Sequence, residues 1–254
     1  MVNLLIDGDL IAYRTCMSKE TAVDWGDGLW TLHCWEDEVK AGIMGYLDNL
    51  KESIPNSKPI IYLSSVENFR KEIDPTYKSN RANTRKPICL KVIREWMIFE
   101  LDAVVVKGLE ADDMLGIEGT NPAKRTVVVS DDKDMRSLPC VLWNSKDKIL
   151  ETISHEQADL FHMTQTLTGD TADGYAGCPS VGPKTAEKLL TPPKGVDRTL
   201  PWMWQQVVKA FDKAGLSEEE AIRQARLARI LRHGELNWET GKPILWEPPS
   251  ISGH

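Results

Sequence analysis

The chain has 254 residues, enough to bury a sizeable core as one domain or as one domain with an appendage. Hydrophobic residues at 41% and charged residues at 27% are those of an ordinary soluble globular protein, and the longest apolar runs, Ala103–Val106 and Val127–Val129, are far too short to span a membrane. The net charge of −7 argues against a nucleic-acid partner at first sight, but setting aside eight motif carboxylates turns it to +1, so the global charge decides nothing.

In chain order, Leu4–Ile6 is a short apolar run ending at Asp7. Val39, Ile43, Leu47, Leu50 and Ile54 recur near a 3.6-residue period, which predicts a helix over 36–54. Ile60–Leu63, Ala103–Val106, Arg125–Ser130 and Val141–Trp143 read as further strands. Strands interleaved with helices predict βαβ units and a largely parallel sheet, whose ligands sit at the carboxyl ends of the strands. After about residue 154 the strand signals fade, and 155–167, 183–190, 201–214 and 217–232 are helical by pattern, the last with a Ser217–Glu220 capping start. Thr191–Gly195 is a loop, and the proline-rich tail from Trp246 is expected to wind over the surface. Trp25, Trp30, Trp35, Trp202 and Trp204 are read as core or inter-segment packing. The five cysteines form no C-x-x-C pair, and the opening Met1–Asp7 lacks the basic segment and cleavage site of a secretory signal. A reduced, cytoplasmic setting is the expectation.

The chemistry concentrates in acidic motifs placed just after predicted strands: Asp7-Gly8-Asp9, Glu110-Ala111-Asp112-Asp113, and Asp131-Asp132-Lys133-Asp134. Gly169-Asp170 with Asp173 follows a helix end. Carboxylates crowded in this way repel one another unless a positive charge lies nearby, and such sets hold hard divalent cations through oxygen. Helix capping accounts for one or two of the acids around Ala111. Tyr77-Lys78-Ser79-Asn80-Arg81 reads either as a solvated basic turn or as a loop over the site, its aromatic for base stacking and its lysine for phosphate. Gly177 through Val181, Gly182 and Lys184 is a helix–hairpin–helix-like signature: glycines for unusual dihedrals, Pro183 to begin a helix, and amides facing a backbone phosphate. Asp7-Gly8-Asp9 with Gly169-Asp170 also resembles haloacid-dehalogenase-type phosphatases, whose closing motif follows a strand rather than a helix end.

Taken together and in order, the motifs resemble the flap-endonuclease and 5′→3′ exonuclease superfamily, and within it the exonucleases of short-tailed lytic bacteriophages. The quoted stretches also include Asn68-Phe69-Arg70-Lys71-Glu72 and Ala228-Arg229-Ile230-Leu231-Arg232, so the resemblance spans nearly the whole chain. It implies an α/β fold: a PIN-like core over 1–154 with a mostly parallel central sheet flanked by helices and an arch at about 68–98. A helical part over 155–254 would carry the hairpin clamp. It further implies two divalent cations, magnesium or manganese. Asp7, Glu110, Asp112 and Asp132 would hold one, with Asp113 supporting, and Asp134, Asp170 and Asp173 the other. Lys78, Asp112 and Asp132 would be catalytic. Tyr77, Lys78 and Arg81 would admit a 5′ end, and Gly177, Val181, Gly182 and Lys184 would hold duplex DNA, with a potassium ion on the loop carbonyls. The implied substrates are duplex DNA with a 5′ end or flap and RNA–DNA hybrid. Two departures stand out: Ser64-Ser65 where an aspartate is common, and Ser180 where a glycine is usual. The first leaves a non-catalytic DNA-binding relative as a rival.

Overall fold

The computed structural model describes residues 1–249. The chain divides into two compact units, one of residues 1–67, 85–131 and 141–151, the other of residues 68–84, 132–140 and the chain from 152 onward.

The strands of the first unit, in chain order, are β1 (Val2–Asp7), β2 (Thr21–Asp24), β3 (Trp30–His33), β4 (Ser57–Leu63), β5 (Val104–Val105), β6 (Thr126–Val129), β7 (Val141–Asn144) and β8 (Ile149–Thr152). Six of them form one sheet in the order β5-β4-β1-β6-β7-β8. β1 pairs in parallel with β4 and β6, and the outer pairs β4–β5 and β6–β7 are parallel too. Leu4, Leu5 and Ile6 are all buried, as a central parallel strand covered on both faces requires. Leu4 and Ile6 join a core with Ile11, Val39, Ile43 and Met97 from helices Gly8–Lys19, Glu36–Ser53 and Leu90–Glu100. Leu5 points the other way by strand alternation. Helix Ala111–Gly119 packs along β1, β4 and β6.

Gly8 lets a helix start directly from the end of β1. A Cβ there would lie 2.6 Å from the Tyr62 carbonyl oxygen and the Ile61 side chain. The helices over 8–19 and 90–100 lacked a clear signal in the sequence. So did the antiparallel ribbon β2–β3, which corrects the packing role expected of Trp25, Trp30 and Trp35. All three are exposed: Trp25 and Trp30 because both faces of this two-stranded ribbon meet solvent, and Trp35 as the N-cap of helix Glu36–Ser53.

The second unit is helical, with His155–Thr168, Pro183–Leu189, Leu200–Lys213 and Glu218–Ala228. Ser154, Thr199 and Ser217 cap three of these through their side-chain oxygens, Ser154 in a reciprocal capping box with Gln157. Met163, Leu167, Trp204, Val207 and Phe211 form its core, and Trp202 is half-buried against it. Of the tail expected to wind over the surface, Trp246 is instead buried, edge-on to Trp204 and His162 at 5.0 and 5.4 Å between ring centres, and residues 250–254 lie outside those described. The last helix stops at Ala228, four residues before the expected end. Arg229 turns extended, its guanidinium pairing with Glu235 and its carbonyl accepting from Arg70. Arg70 Nε also donates to the Leu227 carbonyl at 3.2 Å, which ties the turn Arg70–Ile73 to this unit. The single boundary expected at 154 therefore becomes several crossings, and the stretch expected as an arch over 68–98 divides after residue 84. A short ribbon of β9 (Leu236–Asn237) and β10 (Lys242–Pro243) completes the unit. Among the described residues no helix is long and apolar enough to cross a membrane, and all five cysteines are free thiols.

Candidate functional site

In the first unit Asp7 ends the central strand and is 5% exposed. Its Oδ1 accepts from the Leu10 amide at 3.0 Å, capping the helix that follows, and its Oδ2 accepts from Ser130 Oγ at 2.9 Å at the end of β6. Asp9 faces β4: it pairs with Arg94 and accepts from the Ser64 amide at 2.8 Å. Ser64 Oγ in turn accepts from the Ala111 amide at 2.9 Å, and the Ser65 amide donates to the Leu109 carbonyl at 2.9 Å. The two serines thus dock the segment bearing Glu110, Asp112 and Asp113. Glu110 and Asp113 form a reciprocal capping box, the Glu110 amide donating to Asp113 Oδ2 at 3.1 Å, and Asp113 is fully buried. Helix capping accounts for both of these acids; Asp112 lies between them, half-buried. Beyond β6, Asp131 pairs with Arg14 and accepts from the Lys146 amide. A cavity of about 80 Å³ opens beside Asp7, Arg14, Tyr46, Ser130 and Asp131.

The second unit gathers Asp132, Asp134, Asp170 and Asp173. Asp132 caps the turn Lys133–Ser137, its Oδ1 accepting from the Asp134 amide at 2.9 Å. Burial, and then the negative charges of Asp132, Asp170 and Asp173, push the Asp134 carboxyl up to about 7, with Lys133 opposing. Gln165 Nε2 donates to Asp134 Oδ1 at 2.7 Å. Asp170 is held below its ordinary value: burial raises it, but the Lys133 ammonium at 3.0 Å and the Ala172 and Asp173 amides outweigh that. Asp173 collects Tyr77 Oη at 2.9 Å, Arg81 Nη2 at 2.6 Å and Lys78 Nζ at 3.7 Å.

Tyr77 is 2% exposed, so the base-stacking role expected of it does not fit. Its ring is core, packed with Tyr175 and Leu227, and its hydroxyl orients Asp173. Lys78 adopts φ 56 and gives its amide to the Asp173 carbonyl at 2.8 Å.

The loop bearing Asp170 and Asp173 is closed by two glycines in the left-handed region, Gly169 (φ 65) and Gly177 (φ 67). A Cβ on Gly177 would lie 2.2 Å from the Gly169 nitrogen, and one on Gly169 would lie 2.4 Å from the Ala176 carbonyl carbon. The Gly177 amide donates to Gln224 Oε1 at 2.9 Å and the Val181 amide to the Cys178 carbonyl at 3.2 Å. Neither amide is therefore turned to a phosphate, a correction to the role expected of both. Ser180 adopts φ 62 and so performs the turn expected of a glycine. Gly182 and Lys184 are exposed at the start of helix Pro183–Leu189.

Among the described residues no three His, Cys, Asp or Glu side chains are gathered so as to hold a metal ion. Asp9, Asp131, Asp170 and Asp173 instead face arginine or lysine side chains. Oxygen-only carboxylates, among them Asp134, raised to about 7 by burial and then by its acidic neighbours, are nonetheless a donor set suited to a hard cation. Sequence reasoning noted Ser64 only as a departure, without its docking role, and missed the parts played by Ser130, Arg94 and Gln165. Ser64 and Ser130 stand at strand ends, which was a usable signal; Arg94 and Gln165 sit within helices and carried none.

Gly169 caps the helix ending at Thr168, so the Gly169-Asp170 motif follows a helix and not the strand a dehalogenase-type phosphatase requires. Residues 2–162 match the family model described as the 5′-3′ exonuclease N-terminal resolvase-like domain. The chain is 32% identical to the exodeoxyribonuclease of Enterobacteria phage T3, over 97% of this chain and 93% of that protein. It is 30% identical to the exonuclease of Escherichia phage T7, over 96% and 93%. A bacteriophage T5 flap endonuclease, solved as a pseudo-enzyme-product complex with DNA and metal ions, shares the fold at a TM-score of 0.57 and 16% identity, over 90% of this chain and 89% of that one. With strand ends that carry carboxylates and similarity along nearly its whole length, the chain belongs to the 5′-3′ exonuclease family and is a nuclease.

Proposed function

We propose that this protein is a divalent-metal-dependent 5′→3′ exonuclease on duplex DNA that also cuts 5′ flaps and the RNA of RNA–DNA hybrids. The observation that carries the reading is the carboxylate set of Asp132, Asp134, Asp170 and Asp173, in which burial first and the neighbouring negative charges second raise Asp134 to about 7. Asp7, Glu110, Asp112 and Asp113 in the first unit and Asp132, Asp134, Asp170 and Asp173 in the second are the ligands we assign to two cations, magnesium or manganese. Bound there, such ions supply Lewis acidity toward phosphate and lower the pKa of water. The chain's own residues do the rest. Ser130 and the Leu10 amide fix the Asp7 carboxylate, while Tyr77 and Arg81 fix that of Asp173. Lys78 and Arg81 offer positive charge to a scissile phosphate, and one such donor contributes on the order of 3 kcal/mol to a transition state. Exposed Gly182 and Lys184 form the duplex clamp, with a potassium ion on the loop carbonyls. The grip is on backbone rather than base edges, which is why RNA–DNA hybrid belongs among the substrates. The biological setting we assign is phage DNA replication and recombination, with breakdown of host DNA, in the host cytoplasm.

The test uses 5′-labelled blunt duplex, 5′-flap and RNA–DNA hybrid substrates with Mg²⁺, with EDTA, and with Asp132→Asn. Short 5′ products that require both metal and Asp132 are expected. Binding without cleavage in Mg²⁺ and Mn²⁺ alike would overturn the catalytic reading in favour of a DNA-binding relative. Cleavage undiminished by EDTA would overturn the metal assignment.

A further inference from the structure

The ribbon β2–β3 takes no part in the carboxylate sets, yet it carries the largest exposed apolar side chains of the first unit. Trp25, Leu29 and Trp30 of this hairpin are 62%, 60% and 61% exposed, and Trp35, two residues past its end, is 67% exposed. The pairing register places Ala22, Asp24, Trp30 and Leu32 on one face, and Val23, Trp25, Thr31 and His33 on the other. The second face is held in shape by Trp25 Nε1 donating to Thr31 Oγ1 at 2.6 Å and by the Thr31–His33 hydrogen bond at 2.8 Å. β2 and β3 hydrogen-bond as strands only to each other, so each presents an open edge. Isolated two-stranded ribbons are marginal in water, and open apolar edges are ordinarily blunted by lysine. Here the blunting lysines are missing: residues 20–38 hold six carboxylates and no lysine or arginine.

The sign of that charge selects the occupant. Glu20 is taken by Arg85, and Lys40 lies near Glu36 and Asp37. Asp24, Asp27 and Glu38 have no cationic partner among the described residues. A DNA strand stacking on the tryptophans would bring phosphates against these acids. A second copy of the chain would set six carboxylates against six. We propose that the ribbon is a docking site for a basic, strand-forming segment of a partner protein. That segment would add to an open edge, place apolar side chains on Trp30 and Leu32, which share a face, and pair its lysines or arginines with Asp24, Asp27 and Asp37.

The probe is a fluorescein-labelled peptide alternating lysine and valine, titrated against the full chain by anisotropy, with a glutamate–valine peptide as control. The basic peptide is expected to bind, and to bind at least tenfold more weakly to Trp30→Ser/Leu32→Ser and to Asp24→Asn/Asp27→Asn/Asp37→Asn. The glutamate–valine peptide should not bind. None of these positions belongs to the carboxylate sets, so cleavage of a short duplex should be unchanged, which also certifies that the variants fold. Binding equal in the Trp30→Ser/Leu32→Ser variant would reduce the effect to bulk attraction by an acidic protein and overturn the proposal. Two further results would also overturn it: oligothymidylate displacing the peptide, or sedimentation showing self-association that the same variant abolishes.

Discussion

Ser64 joins two elements through both its hydroxyl and its amide. Its hydroxyl accepts from the Ala111 amide while its own amide donates to Asp9, so the position joins β4 to the helix start bearing Glu110 to Asp113. Ser64→Ala leaves a buried amide without its acceptor. Chemical denaturation should show a loss of about 1–2 kcal/mol, and a variant as stable as the parent would contradict the linkage. Gly177 is constrained more severely, since its dihedral and the 2.2 Å at which a Cβ would meet the Gly169 nitrogen both exclude a side chain. Gly177→Ala should cost on the order of 2 kcal/mol or more and should reduce cleavage by displacing Asp170 and Asp173. Unaltered melting in that variant would show that the loop closes some other way. The acids were legible because carboxylates crowded after strands and before helices are costly without a purpose. Their partners were not: Ser130 reaches Asp7 from 123 positions away, a distance no local pattern encodes. Tyr77 misled because an aromatic beside a lysine reads the same whether it stacks on a base or lies in a core.

At the scale of elements, helix His155–Thr168 carries a device the pattern could not reveal. His162 is fully buried, its Nε2 bonded to the Ala225 carbonyl at 2.9 Å and its Nδ1 unpartnered. Burial first, then the charge of Arg229, hold its pKa well below the ordinary value of 6.5. The unfolded chain therefore takes up a proton near pH 6.5 that the folded chain refuses. Stability from this group is full above that pH and is lost as the pH falls toward the depressed folded value, by up to about 1.4 kcal/mol per pH unit. Asp134, raised to about 7, acts in the opposite sense, since what it contributes at low pH is lost as the pH rises. The difference in unfolding free energy between the parent and His162→Gln isolates the histidine. It should shrink steadily from pH 6.5 to 5.5, and a difference independent of pH would refute the assignment. Elements with a strong period, such as Glu36–Ser53 and β6, were readable in advance. The ribbon β2–β3 was not, because its apolar residues fall on both faces and leave no alternation to read.

For the whole molecule, each unit having a core cluster of its own implies two cooperative units. Trp246 belongs to the second core alone, against Trp204 and His162, with its carbonyl accepting from Arg226 at 3.0 Å. Trp246→Ala should cost about 3–5 kcal/mol and split denaturant unfolding into two transitions, the earlier one reported by helical circular dichroism. A single coincident transition in the variant would show that the units unfold as one.

The chain passes between those units five times, and this sets a timetable for synthesis. Arg70 leaves the ribosome early, but the Leu227 carbonyl it is to bind comes 157 residues later. At about 5–20 residues per second, that is a wait of roughly 8–30 s during which the segment around Arg70 must stay hydrated while its neighbours on either side collapse into the first unit. No contiguous stretch of the gene encodes either unit by itself, so a nascent chain halted midway holds neither complete. Whatever phosphodiester cleavage requires of both is in place only after the last helix has been made.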